Sequence, residues 1–292
     1  MPRLIGLSIY RVDINFRESA VMPVLDVDGL KTWQRRAQRE SLLHWALWLV
    51  GIAVFAFCWQ KISSTTTWFF VWDAPRVATD IWTRATPPKW EYIRQLGRPI
   101  WDTLNIATLG TIIALMLAIP VAFLAARNTT PSALLIRPVA LLIIVATRSI
   151  NSLIWALLLI AIIGPGVFAG VIAIAIRSIG FCAKLLYEAI EEIDETQVEA
   201  IAATGASRWQ VMAYGIVPQI LPALAGIAVF RWDVNIREST VLGLVGAGGI
   251  GLQLSSSLNV LAWQQVSLIL LVILAAAVIS EWVSAKVRGA II

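Results

Sequence analysis

The chain has 292 residues, of which 59% are hydrophobic and only 14% charged, with 14 tryptophans. This composition is more apolar than that of soluble domains and predicts an all-α, polytopic integral membrane protein. The net charge of +5 comes from scattered basic residues without interleaved aromatics, which argues against a nucleic-acid-binding surface. One histidine and two separated cysteines do not make a metal site.

Six apolar runs are long enough to cross a hydrocarbon core, which takes about 20 helical residues. They lie near residues 42–59, 103–126, 138–163, 166–187, 216–235 and 264–283. We therefore expect about six transmembrane helices, surrounded by membrane lipid, in a domain of residues 41–292. Residues 1–40 precede the first run and are expected to form a cytoplasmic or membrane-surface segment.

Basic residues in short flanking segments predict the orientation, because Lys and Arg are retained on the cytoplasmic side. They precede the first run, separate the second from the third, and follow the sixth: Lys31, Arg35, Arg36, Arg39, Arg127, Arg137, Lys286 and Arg288. Both termini are thus predicted to be cytoplasmic. Residues 60–100 would then be external, although this segment is also basic.

The segment Gly246–Gly251 matches the dinucleotide-binding fingerprint letter for letter. That fingerprint must follow a strand, whereas this one follows a predicted membrane helix. We expect a glycine-rich external turn, where the backbone needs positive φ or a close approach to other helices. The sequence contains no Gly-x-x-x-x-Gly-Lys-Ser/Thr run, so the chain is not expected to bind ATP through a P-loop, and any energy from ATP must come through a partner. The apolar runs also lack the paired carboxylates or nucleophile-base set that a membrane enzyme would need, so the chain is not expected to be an enzyme.

A polar, glycine-interrupted hairpin is predicted at about residues 188–218, between two apolar runs. Its first part is acidic, which favours the positive end of a helix dipole. A helical run from Glu188 is expected to continue until Gly205, where the chain turns into a second short helix. Such features also fit an ordinary interhelical hairpin.

The hairpin resembles the Glu-Ala-Ala loop of ATP-binding-cassette importer permeases. Glu199 and Ala200 begin the motif, Gly205 follows six residues after Glu199, and Pro218 follows nineteen residues after it. The residues common in that family are replaced at three positions: Ile201, Gly215 and Val217. The resemblance implies that these four matching residues couple the chain to an ATPase.

Two further stretches resemble the permease subunit of phosphonate-type importers. Residues 230–243 read FRWDVNIRESTVLG and are followed by VGAGGIG at 245–251, while residues 148–151 read RSIN and are followed by GPG at 164–166. The resemblance covers about residues 40–292. It implies a type I importer permease architecture in the bacterial inner membrane, moving a phosphonate, phosphite, hypophosphite or related oxyanion by alternating access.

The same resemblance implies the partners of the chain. These are a second permease copy or a related permease, two cytoplasmic ATPase subunits that use ATP and Mg²⁺, and a periplasmic substrate-binding protein. An ion-coupled secondary transporter and a polytopic membrane enzyme are the alternatives. Copurification of an ATPase would distinguish the importer from both.

Charged and amide side chains inside the apolar runs are costly in lipid and usually face a bundle interior or a water path. Arginine suits phosphoryl-type oxygens because its guanidinium is a forked donor. We therefore expect a substrate path lined by Arg148, Asn151, Arg177, Arg231, Asn235 and Arg237.

The spacing of these residues predicts how they are arranged. Arg148 and Asn151 would share a face of the third span, Arg177 would share a face of the fourth span with Lys184, and Arg231, Asn235 and Glu238 would form one stripe on the fifth. Simpler roles are open for several of them. Arg148 and Arg177 would serve helix-to-helix ion pairs, Arg237 would neutralise Asp233, and Lys184 would reach to the membrane interface.

An internal repeat links the N-terminal segment to the fifth span. Residues 10–21, YRVDINFRESAV, match residues 230–241, FRWDVNIRESTV, at seven of twelve positions. We interpret the first copy as a remnant of a duplicated permease. The repeat also favours a second, related permease in the same assembly.

Overall fold

A computed structural model describes the backbone of residues 27–291 and the side chains of residues 41–290. Within this part of the chain every regular element is a helix, which confirms the all-α prediction. The chain divides into two compact units, residues 1–77 and 78–292. The first copy of the repeat, at residues 10–21, lies outside the described residues.

The first unit contains the long helix α1, Val27–Thr65, and the beginning of α2, Trp68–Ala85. The part of α1 from Ser41 to Thr65 is long and apolar enough to span a membrane, as the first apolar run predicts. The helix passes through residue 40 without a break.

The second unit contains the other predicted spans. Its elements, in chain order, are the end of α2, a 3₁₀ turn at Trp90–Tyr92, α3 (Ile93–Ala125), α4 (Ile136–Ser149), α5 (Ser152–Ile163), α6 (Val167–Glu191), α7 (Glu195–Ala203), α8 (Arg208–Val211), a π-helical turn at Met212–Ile216, α9 (Val217–Leu244), α10 (Gly249–Asn259) and α11 (Trp263–Ile291). Five described helices qualify as membrane spans, or six if the bent pair α4 and α5 is one span. The prediction of about six spans is confirmed.

The third predicted span is not a straight helix, and this part of the prediction is wrong. The chain bends by 86° between α4 and α5. Asn151 has extended backbone angles, and its side-chain oxygen accepts a hydrogen bond from the Leu153 backbone N–H at 3.1 Å. Because an Asn in this position satisfies a free N–H of a new helix, it starts α5 in a new direction. One uninterrupted apolar run in the sequence therefore contains two helices.

Helix α6 lies at the centre of the second unit, packed against α3, α4, α5 and α9. Its contact with α3 is close because α3 presents small buried residues every four positions: Gly110, Ala114, Ala118 and Ala122. A methyl group added at Gly110 would come within 2.7 Å of the Ile174 side chain. Small residues are what allow helix backbones to approach in membranes, where the hydrophobic effect does not drive association.

The glycine-rich turn between α9 and α10 has the geometry predicted for it. Gly246, Gly248 and Gly249 have φ of 103°, 85° and 70°, values that favour glycine. Gly251 lies directly against the Thr240 backbone carbonyl, with no room for a side chain. The turn thus requires glycine both for its backbone angles and for the packing of α10 on α9.

Candidate functional site

A connected group of polar side chains lies inside the second unit, at positions contributed by α3, α5, α6 and α9. We call it the central cluster; it consists of Thr111, Ser152, Arg177, Ser178, Arg231, Asn235 and Glu238. At a rise of 1.5 Å per residue, Arg177 is about 15 Å from the start of α6 and Arg231 about 21 Å from the start of α9. The cluster therefore lies near the middle of two spanning helices.

Glu238 joins the two arginines of the cluster. Its Oε2 accepts from Nη2 of Arg231 at 3.3 Å, and its Oε1 is paired with Nη1 of Arg177. Arg177 also donates to the hydroxyl of Ser152, the first residue of α5, at 3.5 Å. The predicted stripe on the fifth span thus includes the ion pair of Arg231 with Glu238. Arg177 forms an ion pair with Glu238 between two helices, as expected if it serves packing and not the substrate.

The rest of the cluster holds Arg231 in place. Its Nε donates to the Ser178 hydroxyl at 2.9 Å, and that hydroxyl donates to the Asn235 side-chain oxygen at 3.2 Å. The Asn235 amide in turn donates to Thr111 at 2.8 Å. The Arg231 guanidinium also lies 5.1 Å from the centre of the Phe181 ring, a favourable cation–π distance. A buried polar network with all its members paired rigidifies the site.

The central cluster carries more positive than negative charge, since two guanidinium groups share one carboxylate. The Arg231 side chain is only 3% exposed, whereas those of Glu238 and Arg177 are 17% and 29% exposed. The cluster therefore has a buried rear, formed by Arg231, and an accessible front. Unbalanced positive charge in a spanning segment is expensive and attracts anions.

Arg148 and Asn151 do not share a helix face, because the bend between α4 and α5 separates them; the predicted arrangement is wrong. Arg148 is exposed at the end of α4 and makes no ion pair with the described part of the chain. Its backbone nitrogen lies against α6 at Gly180, where an added methyl group would be 3.0 Å from it. Gly180 is one helical turn beyond Arg177, so Arg148 lies near the central cluster without joining it.

Arg237 lies outside the central cluster. It pairs with Asp233 at 2.7 Å, one turn earlier on α9, as the i, i+4 spacing predicts. The Ser280 hydroxyl of α11 donates to the same carboxylate at 2.6 Å. Arg237 thus neutralises Asp233, as the alternative to a substrate role predicts, although its side chain is 47% exposed. Lys184 likewise pairs with Glu188 on its own helix, at 3.4 Å.

The predicted hairpin is present, but its first helix is interrupted. α6 ends at Glu191 and α7 begins at Glu195, because the Asp194 side chain accepts from the Thr196 backbone N–H at 2.9 Å and so starts a new helix. The expectation of one run from Glu188 to Gly205 is therefore wrong. Gly205 has φ of 83° and ends α7, and a capping box at Ser207 starts α8, so the turn predicted at Gly205 is confirmed.

Side chains that the sequence did not single out fasten the hairpin to the helices. Gln219 accepts from the Asp194 backbone N–H at 2.9 Å and donates to the Gly215 carbonyl at 2.8 Å. Arg208 donates to the Thr129 carbonyl, in the loop after α3, at 2.9 Å. The hairpin is thus held to α9 through Gln219 and to the loop after α3 through Arg208. Its motif residues face outward: Glu199, Ala200, Gly205 and Pro218 are all exposed.

Several members of the central cluster were also missed as site residues. Thr111, Ser152 and Ser178 are ordinary small residues of apolar helices, and only the folded chain shows that they contact Asn235, Arg177 and Arg231, respectively. Ser178 had one signal, since it directly follows an intramembrane arginine. Glu238 was visible in the α9 stripe, but its two arginine partners come from two different helices.

These features define a multi-pass helical membrane protein with a positively charged polar cluster in its bundle and an exposed hairpin at one end. Residues 118–288 match the family described as the binding-protein-dependent transport system inner membrane component. The chain belongs to this family.

Individual relatives agree with the family. The phosphite transport system permease protein PtxC of Stutzerimonas stutzeri is 42% identical over 262 residues, which cover 89% of this chain and 90% of that protein. The phosphate-import permease protein PhnE of Mycolicibacterium smegmatis is 38% identical over 337 residues; the match covers all of this chain but only 62% of the relative. These relatives confirm the resemblance that the sequence motifs carry, and they lend no support to a secondary transporter or a membrane enzyme.

A solved structure supports the fold. The inward-facing MetNI methionine ABC transporter matches with a TM-score of 0.60 at 21% identity, covering 69% of this chain and 98% of that chain. At this identity the likeness concerns the fold alone. It confirms the predicted architecture of an ATP-binding-cassette importer permease.

Proposed function

We propose that this chain is the permease subunit of an ATP-driven importer that moves phosphonate, phosphite, hypophosphite or a related phosphorus oxyanion by alternating access. The central cluster is the observation that carries the proposal. Two arginines near the middle of α6 and α9 share one carboxylate, and forked guanidinium donors match phosphoryl oxygens. The names of the relatives, which refer to phosphite and phosphate, support the same class of substrate.

The substrate path in this proposal runs along the accessible front of the central cluster. Arg177 and Arg231 supply the charge, and Asn235 keeps Arg231 in position through Ser178. Arg148 and Asn151 contribute from the bend between α4 and α5, which contacts Arg177 through Ser152. Arg237 contributes from the other side of α9, where it is half exposed.

The proposal assigns the hairpin to ATPase coupling. Glu199, Ala200, Gly205 and Pro218 would face two cytoplasmic ATPase subunits, which bind ATP and Mg²⁺. A second permease completes the pore, and a periplasmic binding protein delivers the substrate from the other side. Both termini are then cytoplasmic. The outward exposure of all four hairpin residues supports this assignment.

The test compares Arg177→Gln and Arg231→Gln in the complex reconstituted with its ATPase and binding protein. A glutamine fills similar space but does not balance the charge of an oxyanion. We expect uptake of phosphite or phosphonate to fall about tenfold or more, since several kcal/mol of charge complementarity is lost, while basal ATPase activity and assembly persist. Arg84→Gln removes an exposed surface arginine that pairs with Asp80 and is the matched control.

Melting temperatures of the same samples separate the substrate role from helix packing. If the arginines serve packing alone, the variants melt early and transport at the wild-type rate per folded complex, and the substrate path proposed here is wrong.

A further inference from the structure

We propose that Glu238 is a built-in competitor of the substrate, which occupies the anion site of the central cluster while the path is empty. The proposal rests on the function proposed above and deepens it. It assigns the site a ligand chemistry, an oxyanion that bridges Arg177 and Arg231, and assigns Glu238 the role of a displaceable counterion.

The geometry of the carboxylate carries the proposal. Each of its two oxygens accepts from a different arginine, and the arginines come from different helices, α6 and α9. A tetrahedral oxyanion also offers at least two oxygens and can bridge the same pair of guanidinium groups. The place that Glu238 occupies is therefore the place an oxyanion would take.

The two arginines are held differently, which favours exchange at the front of the site. Arg231 is fixed from behind by Ser178 and by the Phe181 ring. Glu238 and Arg177 lie at the accessible front, with exposed fractions of 17% and 29%. An anion arriving there meets Arg177 and Glu238 first, and the preorganised guanidinium of Arg231 lies behind the carboxylate that it would displace.

Competition by Glu238 would lower the affinity of the site for an oxyanion. When an oxyanion takes the arginines, the displaced carboxylate stays nearby in a medium of low dielectric constant and repels the anion. A transport path needs binding favourable enough for entry and weak enough for release. Glu238 would supply the second condition, because it returns to the arginines as the substrate leaves.

Removing the competitor tests the idea directly. The permease with its ATPase partners is purified without binding protein, and binding of radiolabelled inorganic phosphate is measured for the wild type and for Glu238→Gln. We expect the variant to bind about tenfold or more tightly, a change of about 1.4 kcal/mol or more, because the close like-charge repulsion is removed. Phosphate should also raise the melting temperature of the variant more than that of the wild type.

Two further variants sharpen the result. Glu188→Gln also removes a carboxylate paired with a basic residue, Lys184, but outside the central cluster; it should bind phosphate with wild-type affinity. Glu238→Asp keeps the charge on a side chain one methylene shorter, which should bridge the two arginines less well, and should bind with intermediate affinity.

The outcomes separate this proposal from helix packing and from the proposed function. Early melting of both Glu238 variants with wild-type phosphate affinity, or failure of both to assemble, identifies Glu238 as a packing residue and overturns the proposal. If only Glu238→Asp assembles, wild-type affinity overturns the proposal and raised affinity supports it. A wild-type complex that imports no phosphorus oxyanion refutes the proposed function itself, whereas normal import without tighter binding in the variants refutes only the role of Glu238.

Discussion

At the scale of single residues, Gly180 determines how closely the end of α4 approaches α6. A methyl group at this position would collide with the Thr147 side chain, lie 2.5 Å from the Ile144 carbonyl and lie 3.0 Å from the Arg148 nitrogen. Two of these three atoms belong to the backbone, which does not rotate away as a side chain does. The position of Arg148 beside the central cluster therefore depends on the absence of a side chain at residue 180.

We predict that Gly180→Ala destabilises the protein by about 1–3 kcal/mol, the usual cost of overpacking, and reduces uptake because α4 and Arg148 are displaced. Gly226→Ala is the matched control. Gly226 also lies within a helix, α9, but an added methyl group meets nothing within 4 Å, so the melting temperature should stay level or rise. Thermal unfolding of both purified variants decides the comparison, and equal melting temperatures would contradict the role given to Gly180.

At the scale of elements, the hairpin depends on the backbone angle of Gly205. A Cβ atom added at this residue would meet nothing within 4 Å, yet φ is 83°. Substitution there therefore tests backbone conformation alone, without a steric clash. Asparagine tolerates left-handed angles, whereas β-branched residues do not.

We predict that Gly205→Asn keeps stimulation of the ATPase by the loaded binding protein, while Gly205→Val loses most of it. The left-handed angle costs an ordinary L-residue about 1–2 kcal/mol, which is enough to reshape an exposed turn. Both variants should insert and assemble at wild-type abundance, since an added Cβ atom meets nothing within 4 Å. Equal stimulation in the two variants would show that the bend at Gly205 does not set the coupling geometry.

The elements differ in how far the sequence predicts them. Gly205 and the glycines of the α9–α10 turn interrupt apolar or helical patterns, so the turns there are predictable from residue type. The break between α4 and α5 is not, because hydropathy stays high on both sides of Asn151 and one amide side chain determines the new helix start. The one sequence signal for this break is Asn151, a residue type that often caps the start of a helix. This signal is weak because the same apolar run also fits one straight helix.

The contacts of the candidate site also differ in how far the sequence predicts them. The i, i+4 spacing predicts the pair of Arg237 with Asp233, because both residues lie on one helix. Sequence spacing within α9 does not predict that Glu238 also reaches Arg177, since that contact depends on how α6 packs against α9. Contacts within a helix follow from periodicity, and contacts between helices require the fold.

At the scale of the whole molecule, the second unit has two polar ends joined by apolar helices. Lys89 lies at one end, where its backbone nitrogen donates to the Gln264 carbonyl near the start of α11 at 3.1 Å. The last turns of α11 lie at the other end, because Arg288 lines the same groove as Glu188 and Glu192. The hairpin lies at this second end too, because its first short helix, α7, begins three residues after Glu192.

Because the two polar ends are separated by the apolar helices, labelling from each side of the membrane tests the predicted orientation. Cys58 and Cys182 are first replaced by Ser and Ala, and single cysteines are then placed at the exposed positions Lys89, Ala203 and Gly289. In intact cells we expect an impermeant maleimide to label Lys89→Cys, while Ala203→Cys and Gly289→Cys react only after lysis. Phosphite uptake, measured on each variant, confirms that the labelled protein is the functional one.

The prediction combines the basic flanking residues, which predict that both termini are cytoplasmic, with the fold, which places the hairpin and the last turns of α11 at one end. Labelling of all three positions from one side would contradict the fold. Labelling of Ala203→Cys and Gly289→Cys from outside, with Lys89→Cys protected, would reverse the orientation instead. In that case the hairpin would face away from the cytoplasm and from every source of ATP, and its assignment to ATPase coupling would have to be abandoned.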